Sequence, residues 1–280
     1  MTDFSDLKGK VAVITGGGGI IGQSLASGMG KAGITVVILD ISAGRAVAAA
    51  ESVSAVTGCH AAGLGADVTD KASLVKAKDE IIKTFGTIDI LINCAGGNKP
   101  TATTRKEFIM AGDNELESTF FGLDIAGFDG VFNLNFRGTV LPTMVFTEEM
   151  VRRGRGNVLN ISSMNAFRPL TKIPAYSAAK AAINNFTQWL AVHFAPSGVR
   201  VNAIAPGFLL TDQNRFLLTD EKTGEMTARG KKIIAATPMG RYAEPDELVG
   251  TMLYLLSDIS GFVTGIVIPV DGGFSAYSGV

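Results

Sequence analysis

The stretch KVAVITGGGGIIGQSLASGMGKAGITVVILD, residues 10–40, decides the fold. Residues 10–15 are a short β-branched run, the pattern of a buried parallel strand. They lead into the glycines at 16–19, then Ile20, Ile21 and Gly22. A helical pattern follows to about residue 32, and residues 35–40 read as a second strand ending on Asp40. Strand, Gly-rich turn, helix, strand and acid in that order are the layout of a dinucleotide-binding βαβ unit. The glycines let the backbone approach a pyrophosphate, and the helix N-terminus offers it unpaired N–H groups and a positive dipole end. The Asp40 carboxylate would accept hydrogen bonds from adenosine ribose hydroxyls and repel a 2′-phosphate, which favours NAD over NADP. A Gly-rich turn alone is only a tight loop; the strand, helix and acid around it carry the reading.

The alternation continues. A helix is expected over 43–57, a strand within 59–68, a helix over 70–85 and a strand over 88–93, followed by Ala95, Gly96 and Gly97. Such a sequence builds an α/β fold, a single doubly wound parallel sheet of Rossmann type with helices on both faces. Ligands bind off the carboxyl ends of its strands. Asp67, with Val68, then Asn93 and Ser163 each fall at such an end and are expected to line one crevice. Further on come a helix over 128–153, strands over 158–161 and 199–204, a helix over 174–195, the turn Pro206-Gly207, a helix over 244–256 and a last strand over 265–270. Two polar excursions, about 97–126 and 208–239, interrupt the rhythm, and loops this long in a compact unit are usually functional. With no repeat or linker in view, residues 1–280 are expected to form one domain.

The second telling stretch is NVLNISSMNAFRPLTKIPAYSAAKAA, residues 157–182. It starts as a strand, breaks at Ser162-Ser163 and enters an Ala-rich helix near Pro174. Tyr176 and Lys180 are four apart and so share a helix face. A hydroxyl, a phenol and an ammonium that converge can move a proton at neutral pH without a metal. A Lys⁺ beside the phenol would lower its pKa from about 10. The Ser hydroxyl can bond a substrate oxygen as charge develops on it. Tyr and Lys at this spacing are commonly a solvated surface pair; the upstream nucleotide unit makes them more.

Bulk properties narrow the field. The 280 residues are 46% hydrophobic and 18% charged, the balance of a folded globular protein. A net charge of −1 gives no electrostatic footprint for nucleic acid or a membrane surface. Cys59 and Cys94 are expected as buried free thiols, and with only His60 and His193 no metal site is expected. The first residues show no secretory pattern, so a cytoplasmic setting is expected.

Together these motifs resemble the short-chain dehydrogenase/reductase family over essentially the whole chain. The resemblance rests on Thr15-Gly16 to Gly22, Asp40, Asp67, Asn93-Cys94-Ala95-Gly96, Asn135, Ser163, Tyr176-x-x-x-Lys180 and Pro206-Gly207 with Thr211. It selects Ser163 over Ser162 by the interval to Tyr176, and Asn135 over Asn133 by the N-x-x-G pattern with Gly138. One position departs: where the family's turn has its middle glycine, this sequence has Ile20. The resemblance implies a catalytic set of Asn135, Ser163, Tyr176 and Lys180. Tyr176 exchanges a proton with the substrate oxygen, Ser163 bonds that oxygen, and Lys180 also holds the nicotinamide ribose. Asn135 fixes a relay water. It implies NAD contacts from Thr15, Gly16, Gly18, Gly19, Ile20, Ile21, Gly22, Asp40, Asp67, Val68, Asn93, Ala95, Gly96, Pro206, Gly207 and Thr211. It also implies a homotetramer.

A narrower likeness lies in the loops. GGNKPTATT at 96–104, SSMNAFRPLT at 162–171, TDQNRFLLT at 211–219 and the ending DGGFSAYSGV resemble the D-mannonate oxidoreductase (fructuronate reductase) group within that family. That group implies interconversion of D-fructuronate and D-mannonate with NADH/NAD⁺. A hexuronate needs a cation for its carboxylate, and Lys99, Arg168 and Arg215 are the candidates. Asn98, Asn165, Gln213 and Asn214 are candidate partners for its hydroxyls. The alternatives are another sugar acid, a polyol or a 3-oxoacyl substrate, and a nucleotide-binding regulator without catalysis; the last should lack the Ser, Tyr or Lys that this sequence has.

Overall fold

The computed structural model describes residues 3–209, 218 and 224–279. Among them, β1 (Val11–Thr15), β2 (Thr35–Asp40), β3 (Ala61–Gly65), β4 (Ile90–Asn93), β5 (Gly156–Ile161), β6 (Val199–Pro206) and β7 (Val267–Val270) form one parallel sheet. Its order is β3-β2-β1-β4-β5-β6-β7. The order reverses between β1 and β4, where the chain leaves the two strands toward opposite faces and opens a crevice at their carboxyl ends.

Strands covered on both faces must be apolar at every position, and β1 is buried throughout. The period of two then sorts its residues. Ala12, Ile14, Val36 and Ile38 pack under α1 (Ile20–Lys31), α2 (Ala43–Thr57) and α9 (Val249–Leu256). Val11, Val13, Val37 and Leu39 pack under α3 (Lys71–Phe85), α5 (Gly138–Phe146) and α7 (Pro174–Phe194). Each fully buried side chain of this size contributes about 1.5–3 kcal/mol. Helix ends follow local chemistry. Ser42 caps α2 and Asp70 caps α3 through their side-chain oxygens, and both helices stop at a left-handed glycine, Gly58 and Gly86.

The main differences from the sequence reading lie in four places. The helix expected over 128–153 is α4 (Ile125–Phe132), a π-helical turn (Asn133–Arg137), α5 and α6 (Glu148–Arg153). The turn widens where the Asn135 amide donates to Val131 O at 2.8 Å, and wide turns of this kind often mark functional sites. A helix, α8 (Ala228–Ala235), stands inside the excursion expected to be irregular. Only Gly230 and Ile233 of it are buried, too sparse for an apolar period, while Thr227 caps it through Gly230 N–H. β6 runs through Pro206, whose missing N–H is tolerated because Gly207 N–H makes the next bond, to Val270 O. β3 is shorter than its sequence window, so Asp67 and Val68 lie just past its end.

Candidate active site

The turn after β1 is built for close approach. Gly16 has φ +64, a conformation L side chains avoid, and a Cβ there would stand 2.7 Å from Ala95 Cα. A Cβ on Gly22 would stand 2.6 Å from Gly16 O. Position 20 carries no such demand. Gly19 is the N-cap of α1 and Ile20 its first residue, so a side chain fits where the family has a glycine. Gln23 Nε2 donates to Gly18 O at 2.9 Å and steadies the loop.

A cleft of about 710 Å³ opens from this turn across the ends of β1, β4 and β5. Gly16, Gly18, Gly19, Ile20, Ile21, Gly22, Ala95, Gly96, Pro206 and Gly207 all line it. Asp40 and the Asp67-Val68 pair line its far end. Asp40 is 5% exposed, and its Oδ1 accepts from Ser42 N–H at 3.0 Å and Arg45 Nη2 at 2.8 Å. A Cβ on Gly18 would sit 2.7 Å from the other oxygen, so the glycine leaves that oxygen open. Asp67 Oδ1 accepts from Thr69 N–H and Oγ1–H. Arg45 was not anticipated: no motif marks a cation that reaches back to an acid five residues earlier.

The side chains of Thr15 and Asn93 do not line the cleft but brace its wall. Thr15 Oγ1 accepts from the N–H groups of Cys94 (3.1 Å) and Ala95 (3.2 Å), tying β1 to the segment leaving β4. Asn93 Nδ2 donates to Thr143 Oγ1 and Asn160 Oδ1, both at 2.9 Å. Asn160 Nδ2 donates in turn to Thr187 Oγ1 on α7. From Thr143 the series continues along α5, its hydroxyl bonding Thr139 O and that of Thr139 bonding Asn135 O.

At the β5 end, Ser163, Tyr176 and Lys180 line the same cleft. Ser162 also borders the cleft, but its hydroxyl is committed to Asn184 Oδ1 on α7. Ser163 stands beside the Tyr176 phenol and favours its ionised form. Lys180 is 4% exposed and donates to Ile161 O at 2.7 Å, with Nζ 5.6 Å from the centre of the Tyr176 ring. Asn135 is fully buried and grips Gly97 at both ends, accepting from its N–H (3.2 Å) and donating to its carbonyl (2.7 Å). A Cβ on Gly96 would lie 2.7 Å from Asn135 Oδ1 and 3.3 Å from Lys180 Nζ, so only glycine lets these two groups share the wall.

Burial governs the protons. It lowers the Lys180 ammonium to about 8 and raises the Cys94 thiol, beside it, to about 11. It also pushes the Tyr176 phenol up to about 12, Ser163 pulling it partway back. The expected lowering of Tyr176 is thus corrected: burial raises the phenol, and only Ser163 acts against it.

Of the expected substrate residues, the four that are described, Asn98, Lys99, Asn165 and Arg168, do not line the cleft. Asn98 is exposed and bonds Thr103. Lys99 is exposed and lies along Gly130. Arg168 is exposed and donates to Ser275 O at 3.2 Å, anchoring the C-terminal segment. Asn165 is 5% exposed; its N–H donates to Ser163 Oγ, and its Oδ1 is buried with no partner. Thr211, Gln213, Asn214 and Arg215 lie outside the described residues.

Known proteins share this sequence and fold. A family model described as enoyl-(acyl carrier protein) reductase matches residues 18–275. The chain is 50% identical to an uncharacterized oxidoreductase, UxuB, of Bacillus subtilis, over 98% of both chains. It is 49% identical to an uncharacterized oxidoreductase of Haemophilus influenzae, over 98% of this chain and 96% of the other. A crystal structure of a Haemophilus influenza protein, provisionally assigned as a D-mannonate oxidoreductase and solved with bound NAD, superposes with a TM-score of 0.92. It is 49% identical, with 98% of each chain covered.

Proposed function

The chain belongs to the short-chain dehydrogenase/reductase family of oxidoreductases, and on that footing we propose that it interconverts a keto sugar acid and its hydroxy acid with NAD. D-Fructuronate and D-mannonate are the pair that its loop sequences favour. The observation that carries the reading is one cleft with a phosphate-type glycine turn and an open Asp40 oxygen at one end and Ser163, Tyr176 and Lys180 at the other.

The residues fit a dinucleotide. Gly16 and Gly22 leave backbone exposed where a Cβ would fill the space, and Asp40 would take the adenosine ribose hydroxyls. Asp67, Val68, Ala95 and Gly96 would line the adenosine side, Pro206 and Gly207 the nicotinamide side, and Lys180 would hold the nearer ribose. When bound, the nicotinamide gives or accepts hydride at C4. Tyr176 then donates its proton to the ketone oxygen in reduction and recovers it in oxidation. Ser163 bonds that oxygen, and the Asn165 N–H bonded to Ser163 Oγ keeps the hydroxyl aligned. Lys180, titrating at about 8, is poised to exchange protons near neutrality. Asn135 would steady a relay water through the lone pair that Gly97 N–H leaves on Oδ1.

The loop likenesses support a hydroxylated, acidic substrate, and the assignment of the Haemophilus influenza protein points the same way. The test is a panel of ketouronates, aldonates and neutral polyols with NAD and NADP, followed by nicotinamide absorbance. Turnover of fructuronate or mannonate with NAD, abolished in Tyr176→Phe, is expected. Turnover of a neutral polyol with none of the acids, or undiminished turnover by Tyr176→Phe, would overturn the reading.

A further inference from the structure

Three consecutive residues at the carboxyl end of β5 each hold a polar group of α7. Asn160 Nδ2 donates to Thr187 Oγ1 at 2.9 Å. Ile161 O accepts from Lys180 Nζ at 2.7 Å. The Ser162 hydroxyl is shared between Asn184 Oδ1 and Lys180 O, the latter at 3.3 Å. Positions 180, 184 and 187 are spaced four and three apart, so they form one stripe along the helix. Asn160 and Ser162 are two apart on extended backbone, so both side chains face that stripe. The Ile161 side chain points the other way, into the cluster with Ile14, Ile92 and Ile204, and only its carbonyl reaches Lys180. Sheet pairing continues through Ser162, whose N–H donates to Ile204 O at 2.8 Å. Asn160, Ser162, Lys180 and Thr187 are all buried.

Lys180 is therefore gripped twice, at its ammonium by Ile161 and at its main chain by Ser162. A lysine stem is long and flexible, so a bond to Nζ alone leaves its root free to shift with the helix. A second bond to the carbonyl of the same residue removes that freedom. We propose that Ser162 is a positioning residue: it fixes the root of the Lys180 side chain, and so keeps the ammonium beside Tyr176 and out of bulk water. The proposal takes the part played by Lys180 from the function proposed above, and depends on no particular substrate. The doublet Ser162-Ser163 then divides between two tasks, one hydroxyl turned to the helix and the next to the reacting oxygen. Ser162 touches no reacting atom; it acts through Lys180.

The test compares Ser162→Ala, Asn184→Ala and the double variant with the wild-type protein. Ser162→Ala should fold, because Lys180 O keeps its bond within α7 and half-buried Asn184 can turn to water. Small misplacements of a catalytic group are costly, so kcat should fall about tenfold while the substrate KM stays within about twofold. The Lys180 titration, followed by NMR of isotope-labelled lysine and assigned with Lys180→Met, should move up from about 8 toward 10.5 as water reaches the ammonium. The other titratable groups facing Lys180, Cys94 past β4 and Tyr176 on α7, are untouched by these substitutions. Asn184→Ala should shift both readouts the same way by less, and the double variant should match Ser162→Ala. Should Ser162→Ala not fold, Asn184→Ala carries the same test. An unmoved Lys180 titration would overturn the proposal, as would a loss confined to the substrate KM, which would make Ser162 a substrate contact. A shifted titration with wild-type turnover would leave Ser162 holding Lys180 and refute the catalytic part given to Lys180.

Discussion

Lys180→Met should stabilise the folded protein at neutral pH, and the gain should fade as pH rises. Lys180 is 4% exposed and titrates at about 8 instead of 10.5, with burial the main cause. Between these values the unfolded chain binds more protons than the folded one, so wild-type stability rises with pH across that window. Worked through the linkage relation, the buried ammonium costs about 3 kcal/mol at pH 7 and about half as much at pH 9.5. Methionine removes that cost but leaves Ile161 O without its donor, a penalty of about 1–3 kcal/mol that does not titrate. The absolute change at pH 7 is therefore small, whereas its pH dependence isolates the ammonium. Urea unfolding of both proteins at pH 7 and pH 9.5 should show the difference between them shift by about 2 kcal/mol against the variant at the higher pH. A difference that stays constant would refute the claim that burial sets the Lys180 proton.

Two more expectations follow from single side chains. Asp40→Ala should raise the NAD KM tenfold or more and narrow the preference over NADP, since charge-assisted hydrogen bonds contribute about 1.5–3 kcal/mol and Arg45 would lose its acidic partner; steady-state kinetics with both nucleotides check it. Asn165→Ala should leave kcat/KM within about twofold, because the N–H that holds Ser163 is kept and the buried Oδ1 has no partner to lose; steady-state kinetics showing a loss of about tenfold would mean that the side chain reaches the substrate.

The fold was legible where a residue's neighbours in sequence are also its physical determinants. β1, the glycine turn and Asp40 form a local unit, so pattern and chemistry agree there. The same motifs name Thr15, Asn93 and Asn135 but do not say which way each side chain turns. All three prove to hold the cleft's wall in place, a distinction set by strands and helices dozens of residues away. Arg45 was silent for a related reason, because no motif marks its reach back to Asp40. The Tyr176 phenol shows the limit for electrostatics. A lysine four residues away is visible in the sequence, but the burial that raises the phenol is not. The π-helical turn at Asn135 adds one residue to a helix whose apolar period hardly registers the change.

The buried series that runs from Asn135 through Thr139, Thr143 and Asn93 to Asn160 and Thr187 behaves like a keyway cut through the core. Apolar side chains in its place could slide past one another by a fraction of a turn and still be well packed. Amides and hydroxyls cannot, because each bond is directional and each member is sealed from water that might replace a lost partner. α5, the sheet and α7 are therefore seated at one register. Tyr176 and Lys180 inherit their aim from residues that never meet the substrate.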